Sequence, residues 1–290
     1  MRLQKFFQII VCLFIVIMIF GCSSSRSSMD RREQKELTYR MKKGDRLKYK
    51  MSLASEQTME MMGQEMVTTV NGYTHMHMNV EDIAKDGNLT FVYAIDSMNV
   101  ELKGPQGIQS FINPTELMGK RTRVTINAYG RKLSSAIVDS VKLSGMLAQL
   151  GVGRQAALNL MELSAKEVKS GDTWSTSRTD TMSQGGGKII VTPSLTYTVG
   201  GEVDTLGYKC VRIASKGNTT IKGEGTQMGA KFFIEGQGPG SGIAYFAPKE
   251  GLLAATTSVS DLEMTIAVTG QQNMTIPQST SQKFSLVLVK

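Results

Sequence analysis

Histidine, cysteine, tryptophan and proline are all scarce in this chain. Its 290 residues include two histidines, three cysteines, one tryptophan and six prolines. Both histidines, His75 and His77, stand in the single stretch THMHM. Nothing resembling a GxSxG elbow accompanies them, so a Ser-His-Asp hydrolase is not expected. The chain likewise has no HExxH pair for zinc, no GxxxxGK[ST] loop for phosphate and no EF-hand-like calcium loop. Glycine-rich stretches do occur at GEGTQMG (Gly223 to Gly229) and GQGPGSG (Gly236 to Gly242). Neither runs into a helix pattern, and the second holds Pro239, so both read as bends or bulges at sheet edges. Glu81 with Asp82 reads as a solvated turn, and Trp174 as a packing residue at the start of a strand.

A long apolar run is also missing. The longest, Ile9 to Phe20, has 12 residues, short of the roughly 20 that a spanning helix needs. Arg2 and Lys5 precede it, which is the charged-then-apolar order of a secretory signal.

The run ends in IFGC, Ile19 to Cys22, followed by SSSRSSMDRREQ. This resembles the bacterial lipobox, in which an aliphatic and a small residue precede a cysteine. The resemblance implies removal of residues 1–21, a diacylglycerol on the Cys22 sulfur, and a further acyl chain such as palmitate on its new amino group. Several acyl chains hold a protein far more firmly than one, at about 0.8 kcal/mol per buried methylene. The location so implied is the bacterial cell envelope, lipid-anchored, at the outer membrane facing the periplasm. Loss of the leader takes Arg2 and Lys5 with it and lowers the net charge from +8 to +6. Part of that charge, at Arg26, Arg31 and Arg32, lies in a tether expected over residues 22–38, beside anionic headgroups. No nucleic-acid partner is expected. Cys12 leaves with the leader and Cys22 is acylated, so Cys210 remains alone and no intramolecular disulfide is available. In YKCVRI it reads as a small buried hydrophobe.

The domain, residues 39–290, starts where alternation starts. In RLKYKMSL, Leu47, Tyr49, Met51 and Leu53 point one way and Lys48, Lys50 and Ser52 the other, the period of a half-buried strand. Similar segments at 66–80, 89–102, 121–128, 131–138, 188–200, 207–215, 218–235, 242–247, 252–268 and 280–289 make the chain mainly β. Between 139 and 168, Leu143, Met146, Leu147 and Leu150, then Ala157, Leu158, Met161 and Leu163, recur at helical spacing around Gly151 and Gly153. This predicts two short helices and an α+β class. KKGDRL (Lys42 to Leu47) is echoed by KSGDTW (Lys169 to Trp174), and INAYGRKL by AYFAPKEGLL. These echoes predict two duplicated β units, 41–138 and 169–268, with the helices between them.

The lipobox, MKKGDRLKYKM, the MMGQEM hairpin, GDTW and YFAPKEGLL together resemble a family of uncharacterised bacterial lipoproteins, a domain of unknown function, over most of residues 40–290. Such lipoproteins are loosely similar to the curved half-barrels of lipoprotein carriers. That resemblance implies an antiparallel curved sheet or half-barrel.

Methionine is abundant: 17 of 19 lie beyond the leader. Gly63–Gln64 suits a type II′ turn, which sets Met61 opposite Met66, Met62 opposite Glu65 and Glu60 opposite Val67. Met59, Met61 and Met66 then share one face. Three converging thioethers suit Cu(I), with His75 and His77 as further ligands. The same face also suits a dry sheet interior, which is the reading preferred here. The expectation is therefore a non-enzymatic envelope lipoprotein without cofactor, its apolar cavity taking a lipid or other hydrophobic ligand. The alternatives are a periplasmic soft-metal binder and a structural or assembly subunit that binds an envelope protein.

Overall fold

The computed structural model describes residues 34–140, 160–184, 186–227, 229–270 and 273–289. Thirteen strands form where apolar and polar residues alternate: β1 (Arg46–Met61), β2 (Gln64–Ile83), β3 (Leu89–Gly104), β4 (Gly107–Ile112), β5 (Arg121–Ile126), β6 (Lys132–Ile137), β7 (Thr173–Ser177), β8 (Asp180–Gln184), β9 (Gly187–Thr205), β10 (Tyr208–Gln227), β11 (Ala230–Ala247), β12 (Leu252–Thr269) and β13 (Met274–Val289). They make one antiparallel sheet in the order β6-β5-β3-β2-β1-β13-β12-β11-β10-β9-β7, with β4 added beside β3 and β8 beside β9. The sheet is curved and unclosed, and β6 and β7 do not pair with each other.

Curvature is what buries its apolar face. Met59 on β1 shares an apolar cluster with Ile189 and Val191 on β9, although four strands lie between β1 and β9. The inner face carries one continuous apolar stripe from β1 to β9, running through Ile276, Met264, Ile234 and Ile221 on the strands between. Glycine lets adjacent strands lie close: a Cβ on Gly238 would meet the Asp261 carbonyl oxygen, and one on Gly217 the Ser194 carbonyl oxygen. The stretch GQGPGSG is thus part of an interior strand, β11, paired on both sides, and not a set of bends at a sheet edge. Pro239 is accommodated because it faces Asn218 on β10 while the β12 ladder is interrupted between Gln237 and Gly240. Likewise 207–215 and most of 218–235 are not separate strands, since β10 runs unbroken to Gln227 and β11 begins at Ala230.

None of the described residues is helical. The two expected helices fall mainly on 141–159, outside the described residues. Leu160 to Val168, where the second should end, is irregular. Its backbone bonds to distant chain: Leu163 N–H donates to Tyr129 O at 2.8 Å, and Val168 N–H to Lys35 O at 2.9 Å. Leu160, Met161 and Leu163 are buried in the larger apolar cluster, so tertiary packing overrides helical spacing here.

The same end of the sheet is sealed by the segment before β1. Leu37, Tyr39 and Met41 are buried there, so Leu37, within the stretch expected to be tether, belongs to the packed domain. Tyr39 N–H donates to Ala128 O at 2.8 Å and Arg40 N–H to Gly251 O at 3.1 Å. The Tyr39 hydroxyl donates to Met161 O at 3.0 Å, and its ring meets Phe246 edge-on at 5.3 Å.

The two segments that read alike in the sequence also turn alike. Gly44 and Gly171 have φ of 90° and 92°. Gly44 N–H donates to Val80 O and Gly171 N–H to Val199 O, each at 2.9 Å. Asp45 and Asp172 each accept from a backbone N–H three residues earlier, Lys42 and Lys169. Bulges fall at Thr125/Ile126 between β5 and β6 and at Tyr245/Phe246 between β11 and β12. Along the sheet, β6-β5-β3-β2-β1 is followed, after β13, by β12-β11-β10-β9-β7.

Leu37 is fully buried, so Leu37→Ala is expected to cost about 2–5 kcal/mol. Gly238→Ala, which forces β11 away from β12, is expected to cost about 1–3 kcal/mol. Urea denaturation followed by circular dichroism checks both, and the measured losses should exceed that of an exposed control such as Ser110→Ala.

Candidate functional site

At the β1–β2 hairpin the turn is Met62–Gly63, with φ of 55° and 73°. Two positive φ values are the type I′ requirement, in place of the type II′ turn expected at Gly63–Gln64. The register becomes Met61 opposite Gln64, Glu60 opposite Glu65 and Met59 opposite Met66. Pairing has moved by two residues along one strand, and an even shift keeps every side chain on its face. Met59, Met61 and Met66 accordingly share the inner face, as expected.

Met59 and Met264 are buried in the smaller apolar cluster, with Met61, Met66, Met182 and Met274 packed half-buried around it. Six methionines thus line one end of the coiled sheet. His75 and His77 are not brought to them. On β2 the buried inner residues are Thr74, Met76 and Met78, so the histidines between them face outward. His75 lies nine residues beyond Met66, about 30 Å along the strand. His75 Nδ1 lies 3.0 Å from Ser97 Oγ, and His77 Nδ1 2.6 Å from Asp96 Oδ1. Among the described residues no three His, Cys, Asp or Glu side chains are placed to hold a metal ion. Cys22 lies outside the described residues.

Between the methionine end and the larger apolar cluster runs a polar belt that alternation alone did not reveal. Ser55 and Gln57 on β1 face Gln282 and Thr280 on β13; Gln282 in turn faces Ser260 on β12. All of these are buried. Both amide atoms of Gln57 and of Gln278, the Gln282 Nε2 and the Thr280 hydroxyl have no hydrogen-bond partner among the described residues. The signal was present in the sequence: ASEQT, TTSVSD and PQSTSQK are polar on both faces of a strand, which a strand with one dry face should not be.

Along β1, β12 and β13 the outer face is charged: Lys48, Lys50, Glu56, Glu60, Asp261, Glu263 and Lys283 are all exposed. A lipid-facing β wall carries an apolar outer band about 25 Å tall; on these three strands the large apolar side chains exposed are Val259 and Val289. An open groove on this face, at the β1–β2 tip, collects Glu60, Glu65, Glu235 and Glu263, with Lys222 Nζ 3.7 Å from Glu235.

Burial also settles the chemistry of the titratable groups. The Cys210 thiol is fully buried and pushed up to about 11 by that burial, with Glu250 and Asp204 adding to the shift. Tyr197 is raised to about 12, mainly by burial, and Tyr39 and Tyr49 are raised for the same reason. Arg123, hydrogen-bonded to Glu81, holds that carboxyl below its usual range. Trp174, stacked on Tyr197 at 5.1 Å, donates from its indole to Glu162 O at 3.1 Å.

No family model and no curated protein matches this chain. Among solved structures it overlaps the glucuronate complex of Pseudomonas aeruginosa OccK2 (OpdF), at a TM-score of 0.26 and 3% identity over 85% of this chain and 99% of the other. It also overlaps P. aeruginosa OccK11 (OpdR), at a TM-score of 0.19 and 8% identity over 86% and 99%. Overlap at these scores assigns neither fold family nor function.

The thiol makes a direct test. At pH 8 Cys210 is expected to stay protonated and inaccessible, so the folded protein should expose no Cys210 to a disulfide reagent, and urea should release one equivalent that Cys210→Ser removes. Reaction of Cys210 in the folded chain at the rate of a free thiol is the contrary result.

Proposed function

We propose that this is a non-enzymatic lipoprotein of the bacterial envelope, anchored through acyl chains on Cys22 and facing the periplasm from the outer membrane. Its coiled sheet takes a lipid or other hydrophobic molecule at the methionine-lined end. One observation carries the ligand reading: six methionines converge on the inner face, and four of them, Met61, Met66, Met182 and Met274, are only half-buried. Methionine is unbranched and polarisable, so it adapts to irregular apolar partners. The charged outer face supports attachment through a tether and not through the sheet itself.

A second reading has an observation of its own. Met59 stands directly opposite Met66, with Met61 on the same face, a thioether set suited to Cu(I). The histidines do not contribute to it.

Two experiments separate these readings. Cys22→Ser should release the protein from the membrane fraction or leave an unprocessed precursor; wild-type fractionation and mobility would overturn the anchor. Replacing Met59, Met61 and Met66 together with leucine keeps apolar volume, and is expected to cost under about 1.5 kcal/mol per site while retaining hydrophobic-ligand binding. Stoichiometric Cu(I) binding by the wild type under anaerobic conditions, abolished in the triple variant, would instead establish the metal reading.

A further inference from the structure

The belt of unpartnered amides names a ligand class for this interior. Gln57, Gln278 and Gln282 are 2%, 4% and 4% exposed, and five of their six amide atoms have no partner among the described residues. A buried polar group without a partner costs about 1–3 kcal/mol, so packing alone does not account for several in one row. The row continues across the sheet, with Ser260 facing Gly240, and Gly240 facing Gly217, so the wall flanking the amides carries little side chain. Gln278 marks the boundary with the greasy end, since it faces Met59 on one side and Met264 on the other. The charged neighbours along these strands, Glu56, Asp261 and Lys283, are exposed on the other face, so the belt offers nothing to pair with an ionised headgroup.

We infer that the interior binds an uncharged amphiphile: a hydrocarbon chain against Met59 and Met264, and a neutral head of hydroxyl, ester or amide groups hydrogen-bonded to Gln57, Gln278 and Gln282. This rests on the proposed apolar-ligand reading and narrows it.

The test is thermal unfolding of the purified full chain at one fixed detergent concentration, with 1-monooctanoylglycerol, octanoate or octane added. The glycerol ester is expected to raise Tm most, and to bind at least about tenfold more tightly than octanoate. Gln57→Leu, Gln278→Leu and Gln282→Leu combined should lose that tenfold for the ester and keep octane binding, with a ligand-free Tm no lower than wild type. Should the triple variant fail to fold, Thr280→Val is expected to weaken the ester about threefold and leave octane unchanged. Equal affinity for ester and octanoate, or an ester affinity unchanged in the variants, overturns the headgroup site and leaves the apolar reading standing. Failure of both ester and octane to stabilise the wild type overturns both.

Discussion

The close approach of β11 to β12 and of β10 to β9 is the contact on which the rest of the molecule depends. This unclosed sheet has no second layer among the described residues, and its apolar face lies on the inside of its own coil. Coiling that tight brings neighbouring strands where a side chain would collide with backbone. Gly238 against Asp261 and Gly217 against Ser194 are such places. A side chain at either position would push adjacent strands apart beneath the apolar stripe that runs from Met59 to Ile189 and Val191.

Self-coverage also fixes which chemistry sits inside. The larger apolar cluster is stopped at one end by Leu37, Tyr39 and Met41 and by Leu160 to Leu163, segments that belong to no strand and bond by backbone to the loops they cross. The other end has no such stopper among the described residues. It is finished by methionines, several of them half-exposed. The two ends therefore differ in kind: one is sealed by backbone hydrogen bonds, the other is lined by flexible side chains that can re-pack.

The β class was legible because alternation is a local signal with a period of two; the curvature was implied only by the resemblance to lipoprotein half-barrels. Met59, Met61 and Met66 could be placed on one face even with the turn misread, because the true register differed by an even step. What escaped were features set by distant chain. Leu160 to Val168 continues a helical spacing that the bonds of Leu163 to Tyr129 and of Val168 to Lys35 overrule. The glycines of β11 look like edge bends until the strands they must clear are known. His75 and His77 are close to the methionines in sequence, yet parity sends them to the opposite face and strand length carries them about 30 Å away.

The polar belt is the point at which the fold departs from what stability alone would select. Ser and Thr hydroxyls can turn to a nearby backbone oxygen, whereas a glutamine amide carries two donors and an acceptor that must all be met. Apolar residues of similar volume at 57, 278 and 282 would extend the apolar surface and remove the five unpartnered amide atoms. Sequences near a stability threshold retain such costs where function requires them. The cost here is concentrated on the inner face, next to the adaptable methionines, and the outer face is free of it. A ligand that supplies the missing partners converts that cost into binding energy, and one that does not leaves it in place. Discrimination between neutral and charged heads then follows from the same residues that weaken the empty fold.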